Sequence, residues 1–408
     1  MSRKHRRVLL AFSGLLVGLA LLAAVPVVAG AAEEKPRLDI YGFVQTDMGY
    51  QFNQNDPNWF DVARPTKLPK VANEFGEDGR FFASVRQTRF GVKGFVPTSL
   101  GELKTIFEFD MFGTGDDAGQ TTIRLRHAYG ELGQFGAGQT NSPFMDVDVF
   151  PNSLDYWGPN GMIFYRNVQV RWMPIKGDSF LTVALEKPGA GIDTDGANLA
   201  WATVQGRYPL PDLSAEYRFG RPWGYVEAAG ILRYFKWDDV TPADGFEMSG
   251  SAVGWGVNVS SNIKLLKDKG TLRLQGVYGQ GIQNYMNDAP NDIGAKSDPD
   301  PAQPFVGVAL PMWSMVAFYD HTWSDKWTSS IGYSRLTIDN SDSQAADAFK
   351  TGQYALGNLL FYPTVNVMMG GELQWVSRKN NTDGWSVDDW RIQFSFKYKF
   401  SASIGGNS

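Results

Sequence analysis

Arginine recurs along this chain at even spacing. Arg124 and Arg126 stand two residues apart, Arg89 is followed at the same period by Gly91 and Lys93, and Arg171 continues a row with Asn167 and Gln169. Arg218, Arg233, Arg273, Arg378 and Arg391 also fall on the polar side of alternating segments. A guanidinium offers a rigid fork of donors that matches a carboxylate, so rows of arginine are chemistry for anions. Glu108, Asp110, Glu216, Glu227 and Glu372 fall on polar sides of the same kind. They keep a plainer reading open, in which the arginines pair with nearby acids and merely hydrate the surface they share.

There is little material for catalysis. The chain has no cysteine, which removes thiol nucleophiles, disulfides and thiolate metal sites. Of its three histidines, His5 lies in a segment expected to be removed, which leaves His127 and His321. No G-x-S-x-G motif accompanies either one. No Walker, EF-hand or zinc-ligand spacing occurs, so no cofactor and no metal site is expected. Carboxylate pairs are frequent in acidic loops and carry no glycosidase signal by themselves.

The elements that must hold these side chains are strands. Aromatics reach 14% and glycines number 45 among 408 residues, too aromatic for disorder and too rich in glycine for a helical bundle. Arg3, Lys4, Arg6 and Arg7 precede an apolar run from Val8 to Val28 and small residues at 29–32, the pattern of a cleaved signal peptide over residues 1–32. The formal charge of −5 loses four positive charges with that segment and becomes −9, which disfavours nucleic acid as a partner. Beyond residue 35 the chain alternates with period two in pieces of about ten residues, the pattern of a transmembrane barrel. In the last piece Trp390, Ile392, Phe394, Phe396, Tyr398 and Phe400 share one face, while Arg391, Gln393, Ser395, Lys397 and Lys399 share the other. Sixteen strands are expected, near 38–51, 81–96, 102–112, 122–132, 135–140, 162–172, 178–187, 212–220, 223–237, 249–264, 270–282, 308–323, 326–338, 351–362, 365–378 and 387–400. An even count keeps both termini in the periplasm, so 199–208 is assigned to a long external loop. The fold class is therefore an all-β, transmembrane antiparallel β-barrel over residues 33–400, with a C-terminal tail at 401–408.

A barrel of this size leaves an aqueous channel. An arginine facing mid-bilayer lipid costs about 2–4 kcal/mol, so Arg89, Lys93, Arg124, Arg126, Arg171, Arg218, Arg233, Arg273, Arg378 and Arg391 are expected to line the lumen. A basic wall in a low-dielectric channel concentrates anions. Arg86, His127 and Arg166 fall by the same parity on the opposite, outward faces. Either they mark a rim or bulge, or they contact a neighbouring subunit. The expected function is passive diffusion of small hydrophilic, preferentially anionic solutes through the bacterial outer membrane, in contact with its lipid and lipopolysaccharide. The alternatives are a non-selective or cation-preferring general porin and, from another class, a structural or lipolytic barrel.

One further set of motifs is more specific. Leu125-Arg126-His127-Ala128-Tyr129-Gly130-Glu131, Ala137-Gly138-Gln139-Thr140-Asn141-Ser142-Pro143-Phe144 and Asp155-Tyr156-Trp157-Gly158-Pro159, with Thr88-Arg89-Phe90-Gly91-Val92-Lys93-Gly94, Val170-Arg171-Trp172 and Gly279-Gln280-Gly281-Ile282, give the chain its likeness to a known group. It resembles the DcaP-like trimeric outer-membrane porins, most strongly over residues 84–172. The resemblance implies a homotrimer of sixteen-stranded channels for anionic metabolites such as dicarboxylates, with the third external loop folded into the pore. The constriction residues would then be Asn141, Asp146, Asp148, Asp155, Tyr156 and Trp157. Acids there either oppose the arginine wall across the lumen or cap turns within the loop. The chain departs from the group's founding members in carrying no N-terminal coiled-coil extension and in placing eight residues after Phe400.

Overall fold

The computed structural model describes residues 35–194, 201, 203–240, 247–301 and 303–406, so the expected signal segment at 1–32 lies outside the described residues. The strands are β1 (Arg37–Gln51), β2 (Arg80–Ser84), β3 (Arg89–Thr98), β4 (Gly101–Phe112), β5 (Thr121–Leu132), β6 (Phe135–Asn141), β7 (Arg166–Ile175), β8 (Phe180–Glu186), β9 (Val204–Arg207), β10 (Asp212–Arg221), β11 (Gly224–Asp239), β12 (Gly250–Leu265), β13 (Gly270–Gln280), β14 (Ile293–Ser297), β15 (Phe305–Ala309), β16 (Pro311–Ser324), β17 (Trp327–Ile338), β18 (Phe349–Thr364), β19 (Val367–Asn380) and β20 (Ser386–Gly405). All but the β14–β15 hairpin join one sheet. That sheet is antiparallel and closes when β20 pairs with β1, from Arg37 opposite Gly405 to Gln51 opposite Arg391. Closure leaves no edge strand in the bilayer, where no water could satisfy one.

The sheet's segments make sixteen barrel strands. β2 and β3 both pair with β1, Ser84 opposite Asp47 and Arg89 opposite Phe43, so they are one strand interrupted at 85–88. β9 and β10 both pair with β11, Val204 opposite Asp239 and Leu213 opposite Leu232, and are likewise one strand interrupted at 208–211. The 199–208 stretch is therefore not wholly loop: Val204–Arg207 prolongs the eighth barrel strand outward, and the count stays even because it adds length and not a strand. The expected tail also differs. Ser401–Gly405 is the end of β20, paired with Arg37–Tyr41, because the first residues of β1 need hydrogen-bonding partners on that side.

Alternation sorts the side chains. On β20, Trp390, Phe394 and Tyr398 are 45%, 48% and 54% exposed, whereas Arg391, Gln393 and Ser395 between them are 1% or less. Exposed apolar residues such as Val44, Phe107, Val168, Val257 and Ile331 continue this lipid-facing band on other strands. The burial of the inward polar residues has a different origin, because loops pack inside the barrel. Phe144, Met145, Val149, Met162 and Ile163 form an apolar cluster with Ile231, Val277, Val316, Phe318, Leu336, Tyr354 and Leu356, which are inward residues of β11–β18. The inner wall is thus apolar along one arc, where it receives a loop, and polar elsewhere.

Candidate channel lining

β6 is short, and the chain that leaves it turns inward. β5 pairs with β6 only from Ala128 opposite Gln139 to Leu132 opposite Phe135. Above that level Gln139 Nε2 reaches the carbonyls of Leu125 and Arg126 at 3.2 and 3.4 Å. Residues 142–165 then hydrogen-bond to inward groups on most of the barrel's strands. Asp146 accepts from Tyr225 Oη of β11 at 2.7 Å, Ser260 Oγ of β12 at 2.6 Å and Arg218 Nη2 of β10 at 2.8 Å. Asn152 donates to Thr328 Oγ1 of β17 at 3.1 Å and Tyr362 Oη of β18 at 3.3 Å. The backbone N–H groups of Leu154 and Asp155 donate to Glu372 of β19 at 2.7 and 3.0 Å. Gln393 of β20 donates to the Leu154 carbonyl at 3.1 Å, and Gly161 N to Ser334 Oγ of β17 at 2.8 Å.

The loop's acids are spent on anchoring. Asp155 is buried and accepts from Tyr354 Oη at 3.0 Å, Gly158 N at 3.0 Å and Ala63 N at 3.3 Å. Burial pushes its carboxyl above the usual carboxylate range, against the pull of the Arg391 guanidinium 4.0 Å away. Asp148 receives Arg218 Nη1 at 2.5 Å, and its carbonyl accepts from Asn262 at 2.7 Å. The Asn141 carbonyl accepts from Arg171 and Gln169. Tyr156 stacks on Phe112 with centroids 4.3 Å apart and donates to Asp110 at 2.7 Å. Trp157 meets Trp59 edge to face at 4.8 Å and donates to the Asn287 carbonyl at 2.6 Å.

Most of the arginines named from the sequence point inward and are already partnered. Arg124 forks onto Asp110 at 3.1 and 2.7 Å, and Arg126 bonds Glu108 at 2.6 Å, Asp110 at 3.0 Å and Tyr156 Oη at 2.8 Å. Arg218 engages Glu227, Asp146 and Asp148 together. Arg233 has no exposed side-chain surface and binds Asp212 and Asp292 at 3.0 Å each, so it joins loops and presents no charge to a solute. Arg273 pairs with Asp320 at 2.7 Å. Arg391 is also enclosed, under the loop after β1, donating to the Asp61 carbonyl at 2.6 Å. Arg378 donates to the Asp347 carbonyl at 2.9 Å and Asn380 at 2.8 Å. Arg89 lies 3.7 Å from Glu108. Arg171 and Lys93 have no carboxylate within 4.0 Å among the described residues: Arg171 donates to Gln169 and lies over Tyr129, while Lys93 rests over Tyr41 at 5.1 Å.

The three residues assigned outward by parity are elsewhere. Arg86 is 1% exposed and bonds Asp61 at 2.6 Å and the Gly113 carbonyl at 2.8 Å. The break at 85–88 resets the alternation, so Arg86 and Arg89 both reach the interior. His127 follows a register shift: Glu108 opposes His127, but Phe109 opposes Leu125, which leaves Arg126 as the extra residue of a bulge. His127 therefore stands beside Glu108, with Nδ1 3.0 Å from Thr140 Oγ1, and Tyr129 follows it to the face of Arg171. Arg166 opens β7 over Phe164 at 5.1 Å and lines a cavity of about 420 Å³ with Arg124, Tyr156, Trp157 and Trp59. None of the three supports a subunit contact. Sequence reasoning also missed Asp61, Asp212, Asp292 and Tyr354, whose partners lie far along the chain. Lys397 and Lys399 carried a visible signal, since they share the polar face of the clearest strand.

The crystal structure of the outer membrane channel DcaP of Acinetobacter baumannii superposes with a TM-score of 0.73 at 22% identity, covering 90% of this chain and 97% of that one. An anion-selective porin from Comamonas acidovorans matches with a TM-score of 0.55 at 11% identity over 90% and 100% of the two chains. The outer-membrane OmpT of Vibrio cholerae matches with 0.54 at 10% identity over 92% and 100%. No curated protein sequence matches. A family model described as DcaP outer membrane protein covers residues 26–400, nearly all of the barrel, and the chain belongs to that family, as an integral outer-membrane β-barrel of the porin kind.

Proposed function

We propose that this porin is a trimeric diffusion channel in which residues 142–165 narrow the lumen and small hydrophilic anions, dicarboxylates among them, are the preferred solutes. One observation carries the reading. Loop acids such as Asp146 and Asp155 are buried and saturated with donors, whereas Arg171, Lys93, Lys397 and Lys399 have no carboxylate within 4.0 Å among the described residues. A charge held under protein and hydrogen bonds acts weakly on a passing ion, while one in the water-filled lumen attracts counter-ions directly. Asp146 and Asp155 thus anchor the loop and do not oppose the wall across the channel, and the exposed Asp148 is paired with Arg218. The fold of an anion-selective porin supports the same reading by likeness alone. The barrel's surroundings are outer-membrane lipid and, at its external rim, lipopolysaccharide.

The test is the reversal potential of the purified protein in a planar bilayer under a potassium chloride gradient, repeated with a dicarboxylate on one side. Anion preference with current block by the dicarboxylate is expected. Cation preference would sink the reading. Native mass in detergent checks the trimer, which a monomer of unchanged conductance would overturn.

A further inference from the structure

Most arginines of the rows are spent on carboxylates, but Lys93 in the row of Arg89 is not, and two further lysines on β20 share its part of the wall. Three neighbouring strands, β20, β1 and β3, carry an inward patch in which Phe43 of β1 opposes Arg89 on one side and Lys399 on the other. Lys397 opposes Gln45 one inward row higher, and Lys93 opposes Asp39 two inward rows lower. Lys397 Nζ sits 4.7 Å from the Phe43 ring centroid, Arg89 Cζ 5.3 Å from the same ring, Lys93 Nζ 5.1 Å from the Tyr41 ring and Lys399 Nζ 5.9 Å from the Tyr362 ring. The Tyr41 ring lies on Gly91, where an added Cβ would stand 2.5 Å from it, and its hydroxyl donates to Glu108 at 2.8 Å.

These rings hold the three lysines in place without neutralising them, which distinguishes them from the paired arginines. Nearby acids are engaged elsewhere: Asp39 with Arg37 at 3.2 Å and Ser403 at 2.8 Å, Asp47 with Gln45, Gln393 and Ser395, and Glu108 chiefly with Arg126. Among the described residues Lys93, Lys397 and Lys399 have no carboxylate within 4.0 Å. Lys93 and Lys399 are exposed and Lys397 is half-buried. Successive inward residues on a strand are about 6.6–6.8 Å apart, so these ammonium groups form a ladder along the wall. It begins toward the periplasm from Gln393, the β20 residue that holds the loop at Leu154.

We propose that Lys93, Lys397 and Lys399, arrayed with Arg89 around Tyr41 and Phe43, form an anion-holding station on the periplasmic side of the loop and set the charge preference of the channel, with the carboxylate-paired arginines contributing little. The proposal rests on the anion-channel reading above. It takes small carboxylates and inorganic anions alike, because ammonium groups attract them as point charges.

The experiment compares chloride-to-potassium permeability ratios from reversal potentials for the wild type, the triple variant Lys93→Gln/Lys397→Gln/Lys399→Gln and the charge-neutral pair Arg273→Gln/Asp320→Asn. The triple variant is expected to lower the ratio at least about threefold, and the charge-neutral pair to shift it far less. The single variant Lys399→Gln, which alters an exposed side chain, should move the ratio in the same direction even if the triple variant folds poorly. A triple Lys→Arg variant should keep the wild-type ratio. If the wild type prefers anions and the glutamine variants keep that preference, the station is overturned and the anion channel stands. If the wild type prefers cations, both fall.

Discussion

Arg218 shows how a single side chain can decide the shape of this lumen. Its three nitrogens bind Glu227, Asp146 and Asp148 within 2.5–2.8 Å, and Asp146 and Glu227 are both 1% exposed. Removing one partner from a buried charge cluster costs about 3–5 kcal/mol, because the charges left behind lose their compensation. Arg218→Gln is therefore expected to lower the temperature at which the barrel unfolds in a gel-shift assay and to raise open-channel current noise. An unchanged midpoint with quiet current would show that Tyr225 and Ser260 hold Asp146 without it. Such clusters explain what the sequence told and withheld about individual residues. Alternation with a lipid penalty is enough to turn Arg124, Arg171 and Arg218 inward. It cannot report that Asp146, dozens of residues from Arg218, neutralises it, and it misplaced Arg86 because the strand is interrupted at 85–88 and His127 because a one-residue bulge reverses a face without marking the sequence.

At the scale of elements, two segments carry consequences that the strand pattern alone did not. The loop at 142–165 is fastened at Glu372, whose carboxylate accepts the backbone N–H groups of Leu154 and Asp155 and the side chain of Asn358 at 2.9 Å. Glu372→Ala leaves two buried N–H groups without an acceptor, at about 1–3 kcal/mol each. Larger and more variable single-channel conductance is expected, with the barrel still folded. Wild-type conductance would mean that the apolar cluster around Phe144 and Met162 fixes the loop unaided. The second segment is the end of β20. Ser401–Gly405 pairs with Arg37–Tyr41, so a chain truncated after Phe400 should unfold at a lower temperature than the full chain, whereas a dispensable tail would leave the midpoint unchanged. The sixteen strands themselves were legible because lipid on one side and polar groups on the other impose a strict period of two. The interruptions at 85–88 and 208–211 were not, since continuity there is set by register with β1 and β11.

For the whole molecule, the arrangement of charge predicts how selectivity depends on salt. The buried arginine–carboxylate clusters are shielded from the electrolyte, so their influence on a passing ion changes little with ionic strength. Lys93 of β3 and Lys399 of β20 are exposed to the aqueous lumen, with the half-buried Lys397 beside them. A mobile electrolyte screens such charges over about 10 Å at 0.1 M and about 3 Å at 1 M. The chloride-to-potassium permeability ratio should therefore decline toward one as the mean salt concentration is raised from 0.1 to 1 M at a fixed gradient. A ratio that held constant over that range would place selectivity at a dehydrated contact within the narrowest part of the channel, where screening does not reach, and would shift attention from the lysine ladder to the ring of Arg124, Arg126 and Tyr156.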